Sequence, residues 1–233
     1  MRNVVVTGWP RADAADVAAL ARLGVATVHE AIGRTGYLGP AIRPAFRGAR
    51  TGGTAVTAIC WPGDNLMIHA AVEQCQPGDI LVVTTTSPSS DGAFGELLAT
   101  SLQHRGVRGL VTTGGVRDVA ELEAMNFPVF CAAVSAQGTV KATAGAVNVP
   151  VGIAGQRISP GDAVIADDDG VVVVPRGDVR QALSAASGRA EKEAAARAAF
   201  RRGELGLDRY GLRDTLADLG VEYLDYRSYQ ETL

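Results

Sequence analysis

The middle of the chain alternates β-branched runs with amphipathic helical runs, and this alternation constrains the fold more than any other feature. A strand that re-enters the same sheet after a helix pairs in parallel, through a right-handed crossover. We therefore predict an α/β fold with a central parallel βαβ portion. The alternating runs, between residues 80 and 135, are ILVVTTT, ELLATSLQHRG, VRGLVTT, VRDVAELEAMN and FPVFCAAVS.

The segments before this central portion follow simpler patterns. Residues 11–33 have helical spacing that is interrupted near Gly24, and residues 39–50 have the proline and glycine content of a loop. The run GTAVTAIC at 53–60 predicts a strand, and NLMIHAAVEQC at 65–75 predicts a helix.

After the central portion the pattern changes to antiparallel hairpins. Glycine turns divide residues 144–175 into short strands, and the sequence DDDG at 167–170 is typical of a hairpin turn. Residues 178–202 predict an alanine-rich charged helix, followed by a short helix at 208–219. The tripeptide PGD occurs three times, ending at residues 64, 79 and 162, and indicates turns rather than a repeat. With no low-complexity linker, we predict one domain spanning residues 1–233.

Charge and cysteine content exclude several classes of protein. The net charge is −3 and like charges form no block, so nothing indicates a nucleic-acid or membrane surface. No apolar run approaches the ~18 residues of a membrane span, and the N-terminal run is too short for a signal peptide. Three cysteines, far apart and in apolar surroundings, indicate buried thiols in a reducing cytoplasm.

Two segments that each leave a strand and open a helix predict the functional site. They are GAFGELLATS at 92–101, which begins in a polar loop at 87–95, and TTGGVRDVAEL at 112–122. In a parallel sheet the helices that follow neighbouring strands begin at one crevice, where ligands bind. Amides near Gly95, Glu96 and Leu97 would form an anion site, and Arg117 would add a forked cation. These features predict binding of a carboxylate.

The same crevice would contain the carboxylates of Asp118 and Glu96, which are hard oxygen ligands. Few carboxylates completed by water favour Mg²⁺, with Mn²⁺ as a substitute. His29, His69 and His104 have no metal-ligand spacing. The sequence therefore predicts a divalent cation that bridges to an acidic substrate.

Structural interpretations of the same residues remain open. An Arg-Asp pair at a helix start can be a cap with a surface ion pair, and the glycines at 114–115 can be a tight turn. Asp167–Asp169 could bind metal, although a hairpin turn explains them more simply. His29 with Glu30 could be an acid–base pair or a helix-surface feature, and the serines at 87–90 have no histidine arranged as a base.

Several segments together resemble a known family, the 4-carboxy-4-hydroxy-2-oxoadipate aldolases, which also act on 4-hydroxy-4-methyl-2-oxoglutarate. This family belongs to the superfamily of RraA, a regulator of ribonuclease activity. The resemblance covers the chain from about residue 29 to its C-terminus. It implies a swivelling β/β/α fold, assembly as trimers or hexamers, and a site between subunits. The segments are DNLMIHAAVEQCQPGDILVV, FGELLATSLQHRGVRGLV, GGVRDV, AQGTVKATAGAVNVPV, PGDAVIADDDGVVVV and GELGLDRYGLR.

The resemblance also implies a role for each residue of the site. The family signature is an acidic residue, twenty intervening residues and then Arg-Asp, here Glu96 followed by Arg117 and Asp118. By this likeness Asp118 ligates Mg²⁺, Glu96 holds metal-bound water, and Arg117 binds the pyruvyl oxygens. The amides of Leu97 and Leu98 would hold the substrate carboxylate, and Glu193 of a neighbouring subunit would complete the outer shell.

The implied reaction is metal-dependent cleavage of 4-carboxy-4-hydroxy-2-oxoadipate to pyruvate and oxaloacetate, with decarboxylation of oxaloacetate as a side activity. The chain departs from the family pattern at three places. Glu96 replaces a more usual aspartate, Ala132 stands where a basic residue is common, and Thr112–Thr113 replace a pair such as Ile-Asp. These departures leave the exact 4-hydroxy-2-oxo acid open. A non-catalytic regulator like RraA, or another metal-dependent lyase, is the alternative function.

Overall fold

The computed structural model describes residues 2–231 of the chain. The first elements, in chain order, are β1 (Val4–Val5), α1 (Ala14–Leu23), α2 (Val25–Ala31), β2 (Arg43–Pro44), β3 (Thr51–Cys60), α3 (Leu66–Gln74) and β4 (Asp79–Thr85). Gly24 separates α1 from α2 with a positive φ of 88°, which confirms the predicted interruption.

The central portion contains β5 (Gly92–Phe94), α4 (Glu96–His104), β6 (Leu110–Thr112), β7 (Gly115–Val116), α5 (Val119–Ala124), β8 (Val129–Cys131) and β9 (Ala133–Val134). It is followed by β10 (Ala146–Val147), β11 (Val151–Ile153), β12 (Gln156–Ile158), β13 (Ala163–Asp167), β14 (Gly170–Val174), α6 (Val179–Arg201), α7 (Gly206–Arg209), α8 (Leu212–Asp218) and α9 (Tyr226–Gln230).

Parallel strands form the centre of the main sheet. β3, β4, β6 and β8 are neighbours in that order, and each of the three pairings is parallel. The chain passes from each strand to the next through α3, α4 or α5, so the predicted βαβ arrangement is confirmed. The carboxyl ends of these strands therefore share one edge of the sheet.

The predicted antiparallel hairpins are also present. β13 and β14 pair in antiparallel register around the turn at Asp167–Gly170, and β13 also pairs with β3. β11 and β12 form a separate hairpin. β10 does not belong to a hairpin, because it lies between β1 and β3 in the main sheet.

A second, smaller sheet continues beyond the carboxyl ends of the main strands. It consists of β5, β7 and β9, paired in parallel in that order. The prediction of a plain loop at residues 87–95 was wrong here, because β5 lies within it. A strand of three residues that begins with glycine has too little alternation to be recognised without its partner, β7.

Packing on both faces holds the parallel strands in place. Leu81 and Val83 face the helices α3, α4 and α5, whereas Ile80 and Val82 face the opposite core with Ile158. This alternation places β4 between two apolar layers. A third buried cluster packs α1, α2 and the start of α6 against β13 and β14.

The chain divides into two compact units, and the break lies inside α6, between Arg189 and Ala190. The larger unit contains the sheets, helices α1 to α5 and the first part of α6. The prediction of one domain over 1–233 stays a prediction.

The smaller unit consists of the end of α6 with α7, α8 and α9. Within it, a cavity of about 520 Å³ is lined by Glu193, Phe200, Tyr210 and neighbouring α6 residues. The prediction of a single helix at 208–219 was wrong, because Gly211 has a positive φ of 63° and separates α7 from α8. Within the described residues, no helix combines the length and apolarity needed to cross a membrane.

Candidate active site

The two segments singled out by sequence meet at the edge of the sheet. The backbone N–H of Glu96, at the start of α4, donates to Oδ2 of Asp118 at 3.1 Å. The backbone N–H of Arg117 donates to the carbonyl of Phe94 at 2.9 Å. The structure therefore brings together the first turn of α4 and the Arg-Asp step, as the crevice prediction required.

The small sheet explains how these segments come together. Parallel pairing of β5 with β7 aligns Gly92 with Gly115 and Phe94 with Val116. Since α4 follows β5 and the Arg-Asp step follows β7, this register sets both beside each other. A Cβ on Gly115 would lie 2.1 Å from the carbonyl oxygen of Ser90, so glycine there permits close approach of two backbones.

Gly95 is required by the proximity of the Arg-Asp step. A Cβ built on Gly95 would lie 2.2 Å from Oδ2 of Asp118 and 3.0 Å from Cγ of Arg117. Its φ of −161° is extended backbone that any residue adopts, so the requirement is steric and not conformational. Gly95 thus leaves the space that the Asp118 carboxylate occupies.

Asp118 has an unusual backbone conformation and an unusual partner. It is the N-cap residue of α5, with φ 57° and ψ 42°, a left-handed conformation that non-glycine residues seldom adopt. Its side chain does not cap α5. It reaches instead to the N-terminus of α4, where the carboxylate accepts the Glu96 amide. The interpretation of Asp118 as a cap of its own helix, α5, is therefore wrong.

Arg117 and Asp118 form a partly exposed ion pair. Nε of Arg117 lies 3.6 Å from Oδ2 of Asp118, and the two side chains are 46% and 39% exposed. A pair this open to solvent stabilises a fold by about 0–1 kcal/mol. Stability alone is therefore a small reason for the arrangement, and both charged groups remain accessible to a ligand.

The first turn of α4 has the features that the predicted anion site requires. Helix N-termini leave amides without intrahelical acceptors, and the helix dipole favours a negative charge there. The Glu96 amide is occupied by Asp118, which leaves the amides of Leu97 and Leu98 as the first-turn donors for a ligand. The Leu97 side chain is 78% exposed, so this turn lies at the surface of the chain.

Glu96 directs its carboxylate along α4. Its Oε1 accepts a hydrogen bond from the Thr100 hydroxyl at 2.7 Å. The backbone N–H of Glu96 therefore faces the crevice and binds Asp118. The Glu96 carboxylate points away along α4, to Thr100 one helical turn later. The predicted role of Glu96 in holding metal-bound water stays a prediction.

The donor set is suited to a cation that keeps most of its own water. Among residues 2–231, no cluster of three or more His, Cys, Asp or Glu side chains could hold a metal. The hydrogen bond from Glu96 engages only Oδ2 of Asp118, so Oδ1 can serve as a ligand. Mg²⁺ commonly binds through one or two carboxylates plus waters and substrate oxygens, and this chemistry fits Asp118.

Glu193 lies on α6, on the C-terminal side of the break between the two compact units. Within its own unit it lines the 520 Å³ cavity with Phe200 and Tyr210. Its predicted role concerns a neighbouring copy of the chain and stays a prediction.

The weaker candidates have structural partners. Oδ2 of Asp167 accepts the Val25 amide at 2.9 Å, and Oδ1 of Asp168 accepts the Gly48 amide at 2.9 Å. These bonds agree with the hairpin-turn interpretation of the DDDG sequence.

Glu30 likewise pairs with cations rather than acting with His29. It binds Arg34 at 3.0 Å and lies 3.7 Å from Arg189. The hydrogen bond from Arg34 is the main reason that the pKa of Glu30 is lowered. A carboxylate with a lowered pKa is a poor proton acceptor, which argues against an acid–base pair.

Two features near the site were not predicted from sequence. A Cβ built on Gly138 would lie 3.8 Å from Nη1 of Arg117, so the loop at 135–143 runs beside the guanidinium. A cavity of about 490 Å³ also opens at the carboxyl ends of β4 and β6. Its described lining includes Thr84, Thr113 and Ala132 but carries no charged side chain. Neither the loop position nor the cavity can be recognised from a periodic sequence pattern, because both depend on long-range packing.

The fold places the chain among the RraA-like proteins. It superposes on the crystal structure of RraAS2 from Streptomyces coelicolor, titled an unusual member of the RNase ES inhibitor RraA protein family, with a TM-score of 0.72. The two chains are 29% identical, and the match covers 82% of this chain and 99% of the other. The family model "RraA-like: Aldolase/RraA" matches residues 16–173. The chain belongs to this RraA-like family.

Curated relatives carry an aldolase name. A protein of Halalkalibacterium halodurans named "Putative 4-hydroxy-4-methyl-2-oxoglutarate aldolase" is 32% identical over 158 residues, which are 67% of this chain and 75% of that protein. A protein of the same name from Burkholderia multivorans is 38% identical over 143 residues, 61% of this chain and 87% of the relative.

Proposed function

We propose that the protein is a divalent-metal-dependent lyase, an aldolase that releases pyruvate from a 4-hydroxy-2-oxo acid. The observation that carries the proposal is the meeting of the Arg117–Asp118 step with the first turn of α4, through the Glu96 amide. The crevice contains the Arg117 guanidinium, the Asp118 carboxylate and two free amides in the first turn of α4. Together these groups can bind a 2-oxo acid and a metal ion. The aldolase name of the relatives supports the same reaction class.

The chain's own groups would orient the substrate. Arg117 presents a planar fork of N–H donors, which suits the carboxylate and keto oxygens of a pyruvyl group. The amides of Leu97 and Leu98, with the dipole of α4, would hold the carboxylate end.

Asp118 would hold the metal ion directly, and Glu96 would reach it through water. We propose Mg²⁺, with Mn²⁺ as a substitute, because carboxylate and water oxygens are the donors these ions prefer. When bound, such an ion supplies a Lewis acid that draws electron density from the 2-oxo acid oxygens.

Cleavage is the reverse of an aldol addition. The C4 hydroxyl loses its proton and becomes a carbonyl, the C3–C4 bond breaks, and its electron pair forms the enolate of pyruvate. Protonation of C3 then yields pyruvate. The guanidinium of Arg117 would stabilise the negative charge that develops on the enolate oxygen, a preorganised electrostatic effect.

The substrate proposed is 4-carboxy-4-hydroxy-2-oxoadipate, which gives pyruvate and oxaloacetate. Oxaloacetate would itself be decarboxylated slowly, since loss of CO₂ forms the same enolate. The name of the relatives supports 4-hydroxy-4-methyl-2-oxoglutarate as a second substrate. Ala132 offers no charge to a distal carboxylate, so the part of the substrate beyond C4 would find its partners elsewhere.

We further propose assembly into trimers or hexamers, with the site between subunits and Glu193 contributed by the neighbouring copy. The exposed Leu97 side chain and the surface position of the Arg117–Asp118 step support a site that a second subunit could complete.

Pyruvate release tests the function. Purified protein is incubated with oxaloacetate or with 4-hydroxy-4-substituted 2-oxo acids, and pyruvate is followed by coupling to lactate dehydrogenase. We expect release that stops after EDTA treatment and returns with Mg²⁺. Arg117→Ala should lower kcat/KM by about 10²–10³, whereas Arg108→Ala, at an exposed arginine outside the site, should leave it unchanged. Full activity of the EDTA-stripped protein would refute the mechanism.

A regulator of the RraA type is the second candidate, since the Streptomyces structure belongs to an RNase ES inhibitor family. This candidate predicts binding to a ribonuclease without pyruvate release from any 2-oxo acid. The presence of Asp118, which such a regulator does not need, favours the enzyme.

A further inference from the structure

Each of the three PGD tripeptides ends in a buried aspartate. Asp64, Asp79 and Asp162 are 3%, 0% and 5% exposed, and each carboxylate accepts at least one backbone amide. Two of them lie at the amino-terminal edge of the parallel strands. Asp79 begins β4 and pairs with Thr54 of β3, and the carbonyl of Asp162 accepts the amide of the next residue, Ala55. Only Asp64 follows the carboxyl end of β3, the sheet edge that carries the candidate site.

The carboxylate of Asp64 joins two distant parts of the chain. Its Oδ1 accepts the Leu66 amide at 2.8 Å, at the start of α3. Its Oδ2 accepts the amides of Ala142 and Thr143, at 2.8 and 2.7 Å. Burial alone would raise the pKa of Asp64, but these amides, with the Thr143 hydroxyl, lower it below the ordinary value. The group is therefore a carboxylate at neutral pH, suited to accept all three bonds.

The segment that Asp64 holds runs beside Arg117. At its start, the Ser135 amide donates to the carbonyl of Val116 at 2.9 Å, directly before Arg117. In its middle, a Cβ on Gly138 would lie 3.8 Å from Nη1 of Arg117. The segment is thus fixed at one end by β7 and at the other by Asp64.

The neighbouring residue of the same turn holds the other side of the site. Nδ2 of Asn65 donates to the carbonyl of Ala93 at 2.9 Å, within β5, which leads into the first turn of α4. The Asn65 amide donates to the carbonyl of Val140, and the Val140 amide donates to that of Gly63. The turn at 61–66 therefore connects β5 with the loop at 135–143.

We propose that Asp64 is a positioning residue of the active site, which holds the loop at 135–143 against the Arg117 guanidinium. The inference rests on the proposed function, because positioning matters only if Arg117 binds substrate. Asp64 touches no ligand. Its loss releases one end of the loop, and Arg117 then samples orientations that no longer match the 2-oxo acid.

The activity test compares Asp64→Ala and Asp64→Asn with Asp162→Ala. Asp162 is the matched control, because it is equally buried and accepts the amides of Ser159 and Arg176 away from the site. We expect Asp64→Ala to lower kcat/KM for oxaloacetate on the order of tenfold, through a higher KM and a lower kcat, because Arg117 both binds the substrate and stabilises the enolate. Asparagine retains an acceptor for Ala142 and Thr143, so Asp64→Asn should restore most of the affinity. Asp162→Ala should leave both constants unchanged.

Hydrogen–deuterium exchange provides a readout that is independent of activity. Asp64→Ala should speed exchange at residues 136–143 and at 115–118, and Asp162→Ala should not.

Equal kinetic constants for Asp64→Ala and wild type, or exchange in 115–118 that is unchanged, would overturn the proposal. If Asp64→Ala does not fold, Asp64→Ser against Asp162→Ser replaces it in both readouts, because one serine hydroxyl oxygen cannot accept from both Leu66 and the Ala142–Thr143 amides. If wild type releases no pyruvate, the proposed function fails, and exchange at 115–118 alone then decides whether Asp64 positions this segment.

Discussion

At the scale of single residues, the site depends on a short carboxylate held in a left-handed backbone conformation. Asp118 has a φ of 57°, which turns its side chain away from α5 and towards the first amide of α4. Non-glycine residues are held in such conformations at a cost of about 1–3 kcal/mol, and functional sites are where this cost is commonly found. The position of Asp118 between the Arg117 guanidinium and the N-terminus of α4 is thus more readily explained by function than by stability.

Replacing Asp118 by asparagine removes the negative charge of the side chain but keeps its size and shape. Asparagine keeps an acceptor for the Glu96 amide and tolerates positive φ, so the free energy of unfolding should change by less than about 1 kcal/mol. The loss of the anionic ligand should lower Mg²⁺-dependent kcat/KM by about 10²–10³. Pyruvate release and urea unfolding are the two measurements. Unchanged activity and unchanged Mg²⁺ requirement would rule out Asp118 as the metal ligand.

Gly95→Ala should displace Asp118 without removing it. The added Cβ would lie 2.2 Å from Oδ2, so the carboxylate must move and the Glu96 hydrogen bond must break. We expect a loss of at least about tenfold in kcat/KM and a destabilisation of only about 0.5–1.5 kcal/mol from the lost hydrogen bond, because the displaced side chains are partly exposed and can move. Gly188→Ala is the control, because a Cβ there meets nothing within 4 Å. In helix α6 it should stabilise by about 0.5–1 kcal/mol. Wild-type kinetics in Gly95→Ala would contradict the packing described.

At the scale of elements, the sequence predicted the long elements and missed the short ones that build the site. β4 is a continuous β-branched run and α4 has helical spacing, and both were predicted correctly. β5 and β7 have three and two residues, and their pairing within the small sheet with β9 is what stabilises them. The hydrogen bond from Glu96 to Asp118 spans 22 positions, so no local pattern reports it. The adjacency of the two helix starts was predictable, because parallel topology alone requires it.

The turn at 61–66 predicts a specific loss of stability in acid. The folded-state pKa of Asp64 is lowered, so its contribution to the free energy of unfolding is complete above the unfolded pKa of about 3.9. That contribution is lost as pH falls through the folded pKa. Urea unfolding of wild type and Asp64→Asn should therefore differ most near neutral pH and converge below about pH 4. A difference that stays constant down to pH 2 would contradict the assignment of charge to Asp64.

At the scale of the whole molecule, two buried faces leave the parallel sheet inaccessible, while the site lies on the surface. Cys60, Cys75 and Cys131 are buried free thiols, which confirms the prediction from their surroundings. The smaller unit differs from the sheet-bearing unit, because no described residue after Ala199 is buried. Large apolar side chains such as Tyr223 and Tyr226 are exposed there.

The thiols should report global unfolding. Burial raises the pKa of Cys60 and Cys75 to about 12 and that of Cys131 to about 11. Since the thiolate is the nucleophile, native protein at pH 8 should resist alkylation by iodoacetamide. Mass spectrometry should find no label in native protein and three labels in denaturant. Rapid labelling of native protein would show that one thiol is accessible.

Subunit mixing tests the proposed contribution of Glu193 from a neighbouring copy. Arg117→Ala and Glu193→Gln are each expected to be nearly inactive alone. If each site takes Arg117 from one subunit and Glu193 from the next, unfolding and refolding an equal mixture restores about one quarter of the sites. Refolding each variant alone is the control. No recovery in mixed assemblies of confirmed composition would argue that Glu193 serves its own subunit or none.

The most direct measurement is a crystal structure of the assembled protein with Mg²⁺ and oxalate, which mimics the enolate of pyruvate. We predict a cation ligated by Asp118, with oxalate oxygens at the Arg117 guanidinium and at the amides of Leu97 and Leu98. Oxalate and metal bound elsewhere, with the Arg117–Asp118 step covered by a neighbouring subunit, would contradict the account.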